Sequence, residues 1–404
     1  MIAISLLRSR PAQAVLALAC LAGAADAAPY KPESDAQVLE RVSARASDPR
    51  SREIESLRAA WQRDPRNVDV AVRLARRWFD EALAQGDPRF VGHAQAALGP
   101  WWSEPAPPAP VRVQRARVLQ YGHRFAPALA DLEAVTQADP TDAEAWATAA
   151  AIRMVQADYA GARRDCLTLA PLTTPLLGAA CTAYAESMTG RVDEAARAIE
   201  AALAAAPTDA PAAERLWALT RLAEIEDRRG SDVGAEQAFR SALALGLPDV
   251  YLLAAYADFL LDRDRAADAL SLLTAPRGGM QESARADVLL LRMALAAKAA
   301  GDGRAAAWTR ELAARFDAAR ARGDTTHEKE ESRFALALQG DAKRALALAR
   351  RNFEVQREVA DARALLEAAV AAGDAGAAEP ALVWIRTHGV QGVVLRRLEK
   401  QVRK

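Results

Sequence analysis

Apolar positions in residues 109–207 recur with a long period. Ala116, Phe125, Ala128, Leu132, Val135 and Pro140 form one set of anchors. Thirty-four residues on stand Ala150, Tyr159, Ala162, Cys166 and Leu169, with a proline one place late at Pro175. Thirty-three further on stand Val192, Ala195, Ile199 and Ala202, preceded by Ala183 and followed by Pro207. Within each set the spacing is helical, so each unit reads as two antiparallel helices with small residues where they cross. Asp142 can cap the first helix of the middle unit, which carries Trp146, Ala149, Ala150 and Arg153. One helix pair cannot bury both of its faces, so the units must stack into a superhelix with a concave face.

This small, aromatic, small, apolar, proline pattern at a period near 34 resembles the tetratricopeptide repeat (TPR) family, here of a secreted bacterial type. The resemblance implies an all-α, right-handed α-solenoid whose first helices line a groove that binds proteins or peptides. It is strongest over 109–207. Beyond Pro207 the period loosens. An insertion near 208–213 separates Gly190 from its counterpart Gly230, and Pro276 to Gly279 forms a break. Weaker units follow, with turns at Gly301, Gly340 and Gly373, and a basic helix from Gln391 to Arg403 suits a terminal cap.

The N-terminal part adds two helices, expected over 35–46 and 49–63, and a longer pair whose first helix Asn67 can cap. Ser103 to Pro110 carries four prolines and reads as a rigid connector inside one solenoid. The resulting organisation is 1–27 signal peptide, 28–34 extended leader, 35–103 N-terminal helical pairs, 104–110 proline-rich loop, 111–275 core repeats and 276–404 divergent repeats with a cap.

The leader reading rests on Arg8 and Arg10, the apolar run Ala12 to Ala19, and small residues at Ala25 and Ala27. It places the mature chain in the periplasm or outside the cell. A lipoprotein anchored through Cys20 is the alternative, although Ala17-Leu18-Ala19 fits a lipoprotein signal poorly. The apolar run is too short to span a bilayer, and no transmembrane segment is expected in the mature chain. Lys plus Arg equals Asp plus Glu at 53 each, which gives no overall electrostatic case for nucleic acid.

Catalysis finds no positive support. The four histidines, His93, His123, His327 and His388, never fall within one helical turn of each other. His327-Glu328-Lys329-Glu330 reads as a solvated helix start, and carboxylates fall almost wholly on expected exposed faces. No cofactor, metal or small-molecule substrate is expected, so the chain reads as a non-enzymatic scaffold or adaptor in the cell envelope. An enzyme or ligand-binding protein on the same helical shell is the alternative, marked by a deep, closed pocket with convergent carboxylates or histidines.

If the resemblance holds, helical spacing from the buried anchors selects the groove side chains. They are Arg117, Gln120 and Tyr121 in one unit, Met154 in the next, and Tyr184 and Met188 after that. Arg221, Glu224 and Arg228 follow, then Asp258. This face is apolar in the middle and basic at its flanks, which suits a peptide with apolar anchors and acidic groups for Arg117, Arg221 or Arg228. Shifted by one position, Met154 and Met188 become core residues. After leader removal Cys166 and Cys181 remain, at matching heights on either side of a turn centred near Thr173. They pair if their Cβ atoms face each other, and otherwise Cys166 is a small buried core residue.

Overall fold

Several helix starts and ends follow local chemistry. A computed structural model describes residues 49–275 and 286–403. Among these residues there are α-helices and short 3₁₀ turns, and no β-strand. The expected signal peptide, leader, 35–46 helix and the 276–279 break lie outside the described residues. Residues from Glu53 onward form one compact unit, and α1 (Pro49–Arg63) begins just before it.

Among the described residues nine helix pairs follow. They are α2 (Val68–Gln85) with α3 (Arg89–Ala97), α4 (Ala109–Tyr121) with α5 (Phe125–Ala138), and α6 (Ala143–Val155) with α7 (Tyr159–Leu169). Next come α8 (Pro175–Ser187) with α9 (Val192–Ala205), α10 (Ala212–Arg229) with α11 (Asp232–Ala244), and α12 (Val250–Leu261) with α13 (Ala266–Thr274). The last three are α14 (Asp287–Ala300) with α15 (Ala305–Ala321), α16 (Glu328–Ala337) with α17 (Ala342–Val355), and α18 (Val359–Ala372) with α19 (Glu379–His388). The single helix α20 (Val393–Val402) ends the stack. The architecture is an all-α solenoid of TPR-like helix pairs.

The repeat anchors do what their sizes dictate. Ala116, Ala128, Ala150, Ala162, Ala183 and Ala195 are buried where paired helices cross, and Leu132, Leu169 and Ile199 fill the space between pairs. Asn67 accepts the Val70 amide and Asp142 accepts the Ala145 amide, so each satisfies an orphan donor at a helix start. Asp131 and Asp165, one repeat apart, are both buried. Asp131 takes two 2.7 Å bonds from Arg115, and Asp165 is bonded to Arg153. Arg115 also donates to the carbonyls of Trp102 and Glu104, and Arg112 to those of Pro105 and Pro107. The proline-rich connector is thus held by two arginines of the helix it precedes. Trp101 is buried beside it.

The turn inside each pair needs one residue at positive φ. Gly190, Gly230, Gly301, Gly340 and Gly373 supply it, but His123, Ala157 and Asp264 hold the same left-handed conformation without being glycine. Those three turns therefore lack the glycine that marks the others.

The solenoid also folds back on itself. The turns of the early pairs form one edge, and residues from 250 onward pack along it. Gly86 lies so close to Ala286 that a Cβ there would come within 2.3 Å of the alanine methyl. Gln356 meets His123 at 2.9 Å, and the Arg357 amide donates to the Val155 carbonyl at 2.7 Å. The Tyr159 hydroxyl accepts from Trp384 Nε1 at 3.1 Å and donates to the Arg357 carbonyl at 3.3 Å. Gln391 donates to the Gly190 carbonyl. One apolar core therefore joins Met154, Ala157, Tyr159 and Met188 to Phe353, Leu365, Trp384 and Leu398. Burial of that shared core is what holds the later pairs against the earlier ones.

Candidate functional site

The fold-back turns the concave face into a cavity of ≈ 390 Å³. Every first helix from α2 to α18, together with α20, contributes to its lining. Three of its lining residues are large apolar side chains left open to solvent: Leu83 at 52% exposed, Tyr251 at 48% and Val393 at 46%. They come from α2, α12 and α20, so parts of the chain far apart in sequence supply apolar surface to the same cavity.

Of the residues expected to face a groove, Tyr121, Met154, Tyr184, Met188, Glu224, Arg228 and Asp258 line this cavity. Met154 and Met188 are nevertheless buried members of the core shared with the C-terminal pairs. Arg117 and Gln120 lie outside the lining. Arg117 stacks over the Phe79 ring at 4.6 Å and pairs with Asp80 and Glu144. Arg221 is buried, bonded to the Tyr184 hydroxyl at 3.1 Å, 3.0 Å from Glu224, and sandwiched by the rings of Tyr184 and Tyr251. Arg228, 6% exposed, donates to the Ser187 carbonyl and hydroxyl and lies against the Met188 sulfur. The three arginines expected to meet a partner's acidic groups are thus engaged within the chain. Helical spacing located their helices but could not show that tyrosines and carboxylates from neighbouring pairs would reach them first.

Around the expected Asp258 the cavity holds residues that sequence reasoning missed. Asp258 takes both guanidinium nitrogens of Arg333, at 2.9 and 3.0 Å, and both Nε and Nη2 of Arg292. Burial opposes its ionisation, but Arg292 and Arg333 outweigh it and hold the carboxyl well below the usual range. Arg363 makes a two-pronged pair with Asp262, 2.6 Å on each arm. Lys329, Glu330 and Arg333 line the cavity, while Glu331 is buried and bonded to Arg320 and Arg344. The stretch after His327 is therefore not the solvated helix start that its charge density suggests. The signal was there in the 329/330/333 spacing, which puts all three on one helical face.

Glu358 precedes α18 and forms a reciprocal cap with Asp361. Burial and the Asp361 carboxylate push Glu358 up to about 7, against the opposing pull of Lys329 and Arg221. Burial likewise lifts the Tyr121 and Tyr184 hydroxyls to about 12, so both stay neutral. Among the described residues, no group of three or more His, Cys, Asp or Glu side chains is placed to hold a metal ion. No helix among them is long and apolar enough to cross a membrane.

Cys166 on α7 and Cys181 on α8 are joined as a disulfide, with Cα atoms 5.5 Å apart. It ties two consecutive pairs, with Cys181 on the same helix as the cavity-lining Tyr184.

No family model matches the chain, and no curated protein matches it. Solved structures of similar fold are helical-repeat proteins. A TPR protein from Parabacteroides merdae shares 17% identity with a TM-score of 0.43, covering 59% of this chain and 91% of its own. The human IFIT1 dimer with PPP-AAAA shares 15% identity with a TM-score of 0.46, covering 88% and 87%. The TPR domain of P58(IPK) shares 13% identity with a TM-score of 0.25, covering 73% and 98%.

Proposed function

We propose that the protein is a non-enzymatic helical-repeat scaffold that works in the periplasm and receives a short segment of a partner protein in its central cavity. One observation carries this reading: helices from along the described solenoid converge on one cavity whose lining includes the exposed side chains of Leu83, Tyr251 and Val393. Exposed apolar side chains at the edge of a concave site suit the anchoring of partner side chains. The Cys166–Cys181 disulfide supports an oxidising compartment. The equal numbers of acidic and basic residues favour a polypeptide over a nucleic acid.

The convergence of carboxylates on the cavity favours a second reading, a small-ligand protein or enzyme on the same shell. Against it, Asp258 and Asp262 are each held by arginines and unavailable for proton transfer.

A photo-crosslinking amino acid in place of Tyr251 tests the reading. The same amino acid in place of Val233, an exposed site on α11 outside the cavity lining, serves as the control. In cells, Tyr251 should yield a defined protein adduct in the periplasmic fraction that Val233 does not. An RNA adduct, or identical adducts from both sites, would overturn it.

A further inference from the structure

Arg228, Arg292, Arg333, Arg363 and Lys329 line the cavity, and among the described residues all but Arg228 have a carboxylate within ion-pair distance. Arg292 and Arg333 hold Asp258, Arg363 holds Asp262, and Lys329 Nζ lies 3.4 Å from Asp361 Oδ1. Arg228 is as buried as these and is engaged by neutral groups alone. Its Nη1 donates to the Ser187 carbonyl at 3.2 Å and lies 3.1 Å from Met188 Sδ, and its Nη2 donates to Ser187 Oγ at 2.6 Å. A guanidinium has five N–H bonds, so Nε and one hydrogen of Nη2 are left without an acceptor among the described residues. Ser187 ends α8, whose C-terminus supplies only about half a negative charge. Burial pulls Arg228 below its ordinary value against Tyr184, Glu224 and Tyr159; Glu224 is the one carboxylate of that set, and Arg221 stands 3.0 Å from it. A guanidinium nevertheless keeps its proton, so the site stays cationic. Tyr184, also on α8 and also lining the cavity, accepts from Arg221 Nη1, which leaves its own hydroxyl proton without an acceptor. Donors and charge on this wall are therefore both unmatched.

Building on the function proposed above, we infer that the bound segment carries an acidic side chain whose carboxylate is received by Arg228 and the Tyr184 hydroxyl. Apolar neighbours of that residue rest on Leu83, Tyr251 and Val393, which line the same cavity. The incoming carboxylate is the counter-ion that Arg228 lacks, and it accepts the hydrogens that Arg228 and Tyr184 leave unused. A charge-assisted bond in a sheltered site discriminates against a neutral isostere. The carboxylates already in the cavity are answered from within the chain: Glu224 by Arg221, Asp227 by Arg263, Asp258 and Asp262 by their arginines. Burial opposes the ionisation of Glu330, but Lys329 and Arg292 hold it below its ordinary value. Of the three arginines that helical spacing brings to this face, Arg117 and Arg221 have carboxylates of their own, and Arg228 is the one left to a partner.

The test uses pools of pentapeptides with an uncharged fluorophore on the N-terminus and an amidated C-terminus, so that the central side chain is the only charge. That residue is glutamate, glutamine or lysine, and the flanking positions are mixed from Ala, Leu, Val and Phe. Anisotropy is read with the full chain at about pH 6, where Glu358 holds its proton and a peptide glutamate is ionised. The glutamate pool should bind about tenfold more tightly than the glutamine pool, and the lysine pool more weakly than both. Arg228→Met should erase the glutamate preference while the glutamine pool binds as before and circular dichroism stays unchanged. Tyr184→Phe, which leaves the charge in place, should reduce the preference about threefold, and it reads the same site if Arg228→Met does not fold. An undiminished preference in either variant overturns the assignment to this site. Equal binding of the glutamate and glutamine pools overturns the acidic anchor and leaves the segment-binding function standing. No saturable binding by any pool overturns both. Competition by hexanoate as effective as by the unlabelled glutamate pool overturns the assignment to a polypeptide.

Discussion

Asp258 offers the sharpest test of how the solenoid is held together. Its carboxylate joins three consecutive pairs, because it sits on α12 and binds Arg292 of α14 and Arg333 of α16. Asp258→Asn keeps the shape and removes the charge. The two guanidinium groups then stay in place, with side chains only 7% and 15% exposed, and without their anion. Breaking such a pair from one side costs about 3–5 kcal/mol. Since 22% of the Asp258 side chain reaches solvent, the lower end applies, about 3 kcal/mol. A repeat array need not unfold in one step, so the assay is native-state hydrogen exchange, which reads local opening. Amides of α12, α14 and α16 should exchange about a hundredfold faster, and those of α4 and α5 should be unchanged. The pH dependence has a fixed sign. A carboxyl held below its ordinary 3.8 contributes stability that is complete above that value and is lost as pH falls through the folded-state value. Wild-type protein should therefore lose protection in α14 and α16 as pH falls below 3.8, and the Asn variant should show little further loss. Exchange in α14 and α16 that differs by less than about threefold between the two proteins would refute the reasoning.

Cys166→Ser should lower stability by about 3 kcal/mol, because the disulfide closes a 15-residue loop. Peptide mapping of the protein alkylated without reduction should show neither cysteine modified, and modification of both would overturn the bond. Tyr159→Phe leaves the buried Trp384 indole N–H without its acceptor and should cost about 1–3 kcal/mol. The loss should appear as faster exchange in α19, and a silent variant would mean that the fold-back does not depend on this contact. Ala157→Gly relieves a left-handed alanine at φ 62° and should stabilise the α6–α7 pair by about 1 kcal/mol, read as slower exchange there. Faster exchange would show that the lost methyl packing in the shared core outweighs the relieved strain.

Local chemistry made much of the fold legible. The recurrence of Ala116, Ala150 and Ala183 with Ala128, Ala162 and Ala195 specifies helix pairs, because only small residues let two helices cross closely. Asn67 and Asp142 mark helix starts, since a capping oxygen acts within three residues of itself. The turn residues were legible only where glycine appears, and His123 and Ala157 show that the fold can impose the same conformation without it.

The site was legible in part. Spacing within one helix brought Tyr121, Tyr184 and Glu224 to the inner face, because the period of a helix decides which side chains share a side. It could not decide what meets them there. Tyr159 and Trp384 are separated by 225 residues, and Arg363 and Asp262 by 101. Such contacts arise only when the accumulated rotation of successive pairs carries the later ones onto the edge of the earlier ones. The sequence therefore determined the repeating unit and its inner face. The tertiary structure decided that this face encloses a cavity and that Arg221 and Arg228 are engaged within the chain.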